Sequence, residues 1–296
     1  MTNKENKIIL KLIEKGIKEF PKVLKKKEKA FKERKKRVKA FDSISKEIQK
    51  SEIKSLSSKL EVHPWRLCPL GKYYRGKHQQ RSYVRKNGVS VRSSVHPNEC
   101  VTNKTGKDQL YIEEIHEIAN RHFGTLKNLP NSGILTQYQN ESNFDSIIAG
   151  WTQYWNEVLK PSIQLDPNLV KALIATESGF NPESTNNKKG LKRARGLMQV
   201  TDESLKLLSF RSKELKDHFV NLKEDDMLDP NLAICAGVRW IFRKNEIILS
   251  RSPKATWIDT VLEYKSYPRI DHPQMKKFMD HFEALQKKDP SLIKKY

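Results

Sequence analysis

This chain has no long hydrophobic run, few cysteines, and too little acid to balance its base. The longest apolar stretches span only a few residues, far short of the ~20 that a membrane-crossing helix needs. The opening run, Met1-Thr2-Asn3-Lys4-Glu5-Asn6-Lys7-Ile8-Ile9-Leu10, has no apolar core followed by a small-residue cleavage site, so no secretory signal is read there. The 3 cysteines include no close Cys-x-x-Cys pair, which weakens any zinc reading. What is present is polar: a charged share of 31% against a hydrophobic share of 36%. The length of 296 residues allows one substantial core with smaller appendages.

The formal charge of +22 is unevenly spread, because residues 1–60 carry 20 Lys/Arg and 8 Asp/Glu. Within that segment Ile9, Leu12, Ile13, Ile17 and Phe20 make an amphipathic stretch ending near Pro21. Phe31, Val38, Phe41 and Ile48 outline a second. The pattern predicts helices with basic faces. Such faces either solubilise the chain, attract anionic wall polymers, lipid head groups or nucleic acid, or dock on a secretion component.

Residues 61–106 form an expected second module. Tyr83-Val84-Arg85-Lys86 and Val89-Ser90-Val91-Arg92 flank Asn87-Gly88, a tight-hairpin signal. Trp65, Arg66, Tyr73, Tyr74, Arg75, Lys77 and Arg81 crowd around it. Two uses fit: stacking on sugars or bases, or covering one flank of the larger body. Cys68 and Cys100, with His63, His78 and His96, admit a zinc site, a disulfide formed after export, or unpaired side chains.

Residues 107–296 read as helical. Asp166-Pro167, Asp229-Pro230 and Ser252-Pro253 each offer a cap followed by a first-turn proline. Ser142 with Asp145 resembles a capping box, and helices are expected near 109–122 and over 273–287. Cys235, among Leu232, Val238 and Ile241, reads as core. The most informative helix starts at Asp166. Leu169, Val170, Leu173 and Ile174 recur at helical spacing, Glu177 follows in the last turn, and Gly179 stands just past the end. A carboxyl beside apolar packing, at the negative end of a helix dipole, holds its proton more readily. A glycosidic general acid needs that property; a solvated helix-end glutamate is the plain alternative.

Four blocks in order carry a resemblance: Glu177-Ser178-Gly179-Phe180-Asn181-Pro182, Ala194-Arg195-Gly196-Leu197-Met198-Gln199-Val200, Asp229-Pro230-Asn231-Leu232-Ala233 with Gly237, and Val261-Leu262-Glu263-Tyr264. Together they resemble the catalytic domain of the soluble lytic transglycosylases, related to goose-type lysozymes, over residues 165–267. The resemblance implies a mainly α, lysozyme-like domain at 107–296 that cuts the β-1,4 bond between N-acetylmuramic acid and N-acetylglucosamine. It implies Glu177 as acid then base while the muramyl 6-hydroxyl closes a 1,6-anhydro ring. Gln199 then matches the substrate-contacting amide and Tyr264 the tyrosine that orients the acid. Ser178, Met198 and Glu263 complete the candidate substrate contacts.

The chain departs from that family in three ways. The segment between the glutamate and the Gly-Leu-Met-Gln block is longer and includes Lys188, Lys189, Lys192 and Arg193. Ser184 is the nearest match to a serine of that segment. The usual Ala-Tyr-Asn reads Glu263-Tyr264-Lys265, which adds a carboxylate and removes an amide. Ordinary glycosidases use two carboxyl groups, and Glu183, Asp202, Glu203 and Glu263 are the acids near the blocks. The reading is a lytic transglycosylase without cofactor. A hydrolase of the same fold, an idle wall-binding scaffold and a basic nucleic-acid-binding protein are the alternatives. With no signal read, action on the wall calls for a secretion machine, lysis or a wall-spanning apparatus. An exported antibacterial effector with an immunity partner is the expectation.

Overall fold

The computed structural model describes residues 62–80, 82–84, 90–103, 106–212, 214–267 and 269–294. The expectations for the basic segment 1–60, for Arg81 and for the Asn87-Gly88 turn lie outside those residues. Val62–Tyr296 forms one compact unit. Its body is helical: α1 (Ile112–His122), α2 (Asp145–Leu159), α3 (Pro167–Glu177), α4 (Asp202–Leu208), α5 (Pro230–Arg251), α6 (Trp257–Lys265) and α7 (Pro273–Lys287). The mainly α class expected from the sequence is the class the chain adopts.

Two of the three cap-and-proline starts hold. The Asp166 carboxylate accepts from the Asn168 amide, and that of Asp229 accepts from the amides of Asn231 and Leu232. Each satisfies amide donors that a helix start leaves without partners. The Ser252-Pro253 start does not hold. Ser252 closes α5, and α6 begins five residues later behind Thr256, which forms a reciprocal box with Asp259. The Ser142–Asp145 box is also absent: Phe144 occupies the cap position of α2 with no side-chain bond. The Asp145 carboxylate is instead taken by Lys171 of α3, 2.8 Å away.

α3 is the central helix. Every residue from Leu169 to Ala175 is buried, Lys171 included, so the apolar stripe read from sequence is part of a helix enclosed on all sides. It packs on α2 and α7. α2 turns Trp151, Tyr154 and Trp155 inward, and both indoles bond to α5, to Asn231 Oδ1 at 2.7 Å and to the Cys235 carbonyl at 3.0 Å. Cys235 is fully buried, as expected of a core residue.

Ahead of the helices lies a β arm made of three two-stranded antiparallel pieces. β1 (Lys72–Arg75) pairs with β6 (Glu99–Thr102), β2 (His78–Gln80) with β5 (Ser94–His96), and β3 (Tyr83–Val84) with β4 (Ser90–Val91). The pieces follow one another along the chain, each pairing an earlier strand with a later one. A Cys68–Cys100 disulfide ties its base, with a Cα separation of 5.6 Å. The bond removes both sulfurs as zinc ligands, so the zinc set of Cys68, His78, His96 and Cys100 is not formed. His63 is bonded to Glu157 instead, at 2.8 Å.

The arm's root is held by Arg66, whose side chain is 1% exposed. It donates to both carboxylate oxygens of Glu114 at 2.7 and 3.2 Å, to the Gln109 carbonyl at 3.1 Å, and to Asp108. Trp65 stacks on His122 with ring centroids 5.3 Å apart, and Tyr73 packs on Tyr111. These residues are docking contacts rather than a free stacking platform, which is the covering role weighed from sequence.

Candidate functional site

α3 ends in a backbone that aims Glu177 away from the core. Ser178 closes the helix through its amide to the Ile174 carbonyl, and Gly179 takes the left-handed conformation with φ of +59°. Phe180 follows at φ +62°, fully buried against Tyr138. A bulky residue held there costs of order 1–3 kcal/mol, and such strain concentrates at functional sites.

The second wall comes from β7 (Ala194–Arg195), its turn, and β8 (Val200–Thr201). The turn needs glycine at 196, because φ is +73° and a Cβ there would sit 1.8 Å from the Met227 carbonyl oxygen. Gln199, at φ +48°, is the second strained residue. Its amide nitrogen donates to the carbonyls of Ser184 and Gly196, both at 2.9 Å, and so clamps the basic loop against the turn. Asn186 organises the loop itself. Its side chain bonds Lys192 O, Lys188 N and Ala194 N, leaving Lys188, Lys189, Lys192 and Arg193 exposed.

α6 supplies the third wall. Lys265 Nζ lies 2.6 Å from Glu177 Oε1, with side chains 3% and 18% exposed respectively. The apolar setting expected for Glu177 is thus only part of its surroundings, which also include a buried cation. The Tyr264 hydroxyl donates to the Met198 carbonyl at 2.7 Å. Its ionisation is pushed well above the usual tyrosine range, first by burial and then by the Glu177 charge. Tyr267 is raised by the same two causes and stacks on His272 at 3.8 Å.

Of the candidates, Ser178 adjoins Glu177 at the helix end, Tyr264 feels its charge and bonds the Met198 carbonyl, and Gln199 closes the turn that follows Met198. Two other candidates point elsewhere. Met198 is 0% exposed, and its sulfur packs where a Cβ on Gly237 would have to go, 2.4 Å from that position. Its side chain is core and only its carbonyl serves the site. Glu263 turns to the cations of α5, Lys244 at 3.3 Å and Arg251 at 3.8 Å. Lys265 and Tyr267 were not singled out as site residues from the sequence. The signal for Lys265 was its place where the resembled family has asparagine.

These elements define a helical domain with a half-buried carboxylate at a helix end, paired with a lysine and within electrostatic reach of two tyrosines. Residues 154–267 match the family model described as the Transglycosylase SLT domain. Over that stretch, which is less than half of the chain, the protein is similar to that domain. No curated protein and no solved structure gives a match.

Proposed function

We propose that the chain is a peptidoglycan lytic transglycosylase in which Glu177 alone handles the proton. The carboxyl delivers its proton to the glycosidic oxygen as the bond from muramyl C1 breaks. The resulting carboxylate takes the proton of the muramyl 6-hydroxyl as O6 bonds to C1. One C–O bond is exchanged for another, one proton moves from O6 to the leaving oxygen, and no water is consumed. The Lys265 ammonium, 2.6 Å away, faces the carboxylate that exists between the two transfers.

The observation that carries a one-carboxyl reading is where the neighbouring acids lie. Asp202 is bound to Arg195, Glu263 to Lys244 and Arg251, and Asp229 caps α5. Glu183 is exposed. A hydrolase of the ordinary kind would need one of them opposite Glu177. The SLT match and the Cys68–Cys100 bond also support the reading, since disulfides persist in oxidising, extracytoplasmic compartments. Delivery as an antibacterial effector, with an immunity partner in the producer, is the route we favour.

The test is digestion of purified wall sacculi by the wild type and by Glu177→Gln, with fragments read by mass. Anhydromuramyl ends from the wild type, and a loss of at least about 100-fold in the variant, are expected. Reducing ends would make the protein a hydrolase. Equal digestion by both proteins would discard Glu177 as the acid.

A further inference from the structure

We propose that His78, His96 and Glu99 form a binding site on the β arm for a divalent first-row transition ion of the zinc type. The side-chain donor atoms of the three lie within 4.8 Å of one another. The site is independent of the cleavage reading, because none of its residues belongs to the helical site.

The arm's pairing creates it. His78 and His96 stand directly opposite each other in the β2–β5 register, their rings stacked with centroids 5.0 Å apart. Directly opposed side chains are the closest cross-strand neighbours a sheet offers. Glu99 opens β6, just past the Pro97-Asn98 step where the hairpin passes from one two-stranded piece to the next. That step is pinned by the Lys77 amide, which donates to Asn98 Oδ1 at 2.7 Å. The residue after Glu99 is the disulfide-bonded Cys100. The His78 ring meets the Gly76 carbonyl through Nδ1 at 3.2 Å. A proton on that nitrogen leaves Nε2 as the ligand lone pair, the usual outer support for a metal-bound histidine.

The donor set selects the ion. Two imidazoles and one carboxylate suit zinc and its neighbours, whereas magnesium and calcium call for oxygen ligands. Three protein ligands leave at least one coordination position for water or a further group. Arg75 is the present counter-charge of Glu99, at 3.8 Å with both side chains about half exposed, so the ion replaces a loose surface pair. A bound ion would join β2, β5 and β6 at a point beyond the reach of the disulfide.

The experiment uses the full-length protein after chelator treatment, with zinc chloride titrated calorimetrically and cobalt(II) as a spectroscopic probe. One ion per chain is expected, with visible cobalt bands of low-symmetry, nitrogen-and-oxygen coordination. His78→Ala and His96→Ala should each weaken binding about tenfold or more, a loss that even an outer-shell partner can cause. Glu99→Gln, which keeps the side chain's shape, should weaken it as well. Thiol titration confirms that the Cys68–Cys100 bond survives in each variant. No binding by the wild type, or wild-type binding by the His78→Ala/His96→Ala double variant, overturns the site.

Discussion

α3 carries two lysine–carboxylate assemblies, one at its middle and one at its end, and the two are built differently. At mid-helix Lys171, 0% exposed, lies 2.5 Å from Glu141 and 2.8 Å from Asp145 and also donates to the Asn131 carbonyl. At the C-terminal end Glu177 pairs with Lys265, just ahead of a turn that holds Phe180 at positive φ. The first cation donates to Asp145 and to the Asn131 carbonyl, lies against Glu141, and so ties α2 to α3. The second pair has one contact and an 18% exposed carboxylate. The contrast separates an ion cluster that holds helices together from a pair that stays open to solvent.

The comparison breaks most visibly at Lys171. Lys171→Met should cost about 3–5 kcal/mol, since it strands two carboxylates in the interior. Urea unfolding at neutral pH measures it, and a loss no larger than that of a surface substitution would remove the structural role.

A smaller effect separates the two assemblies by pH. Burial pushes the Asp145 carboxyl up to about 6, against the pull of Lys171. A folded value above the unfolded 3.8 means stability that is full below 3.8 and lost as pH rises through about 6. That window is worth of order 2–3 kcal/mol. Asp145→Asn should therefore lack this slope. The stability difference between wild type and variant, followed by urea unfolding from pH 4 to 7, should change sharply across the interval. A constant difference would show that Asp145 titrates normally.

The smallest effect belongs to the open pair. Glu177→Gln or Lys265→Met alone should each cost about 1–2 kcal/mol, and the double substitution should recover part of it. Thermal unfolding of the four proteins tests this coupling. Strict additivity would mean that the pair is a surface contact without energetic weight. The same proteins guard the digestion experiment, because an inactive Glu177→Gln must be shown to remain folded.

A separate check lies outside α3. His281, 1% exposed, is held down to about 4 by burial and by the Lys277 ammonium. Its depressed value implies stability present above 6.5 and lost as pH falls through about 4. Replacing it with Gln should flatten the acid limb of the stability curve between those values.

What the sequence revealed followed from how local each signal is. Asp166 and Asp229 act on amides two or three residues away, so their helix starts were readable. Ser142–Asp145 had the same chemistry on paper, but a lysine 26 residues on took the carboxylate. Ser252 failed because Thr256, with Asp259 three residues beyond it, offers a better box. At the site, Glu177 and Gln199 stood in recognisable blocks. Lys265, 88 residues from Glu177, had no local mark of its role. Met198 sat in a motif for its backbone, and only the packing against Gly237 shows where its side chain goes.

The Gln199 clamp has a chemical corollary. Both hydrogens of its amide nitrogen point at protein carbonyls, which also fixes which end of the amide is nitrogen. Among the described residues, the amide oxygen is the atom left to greet a visitor. Any group that comes to rest against it must offer a hydrogen, as an amide N–H or a hydroxyl does, and a bare carbonyl will find no welcome there.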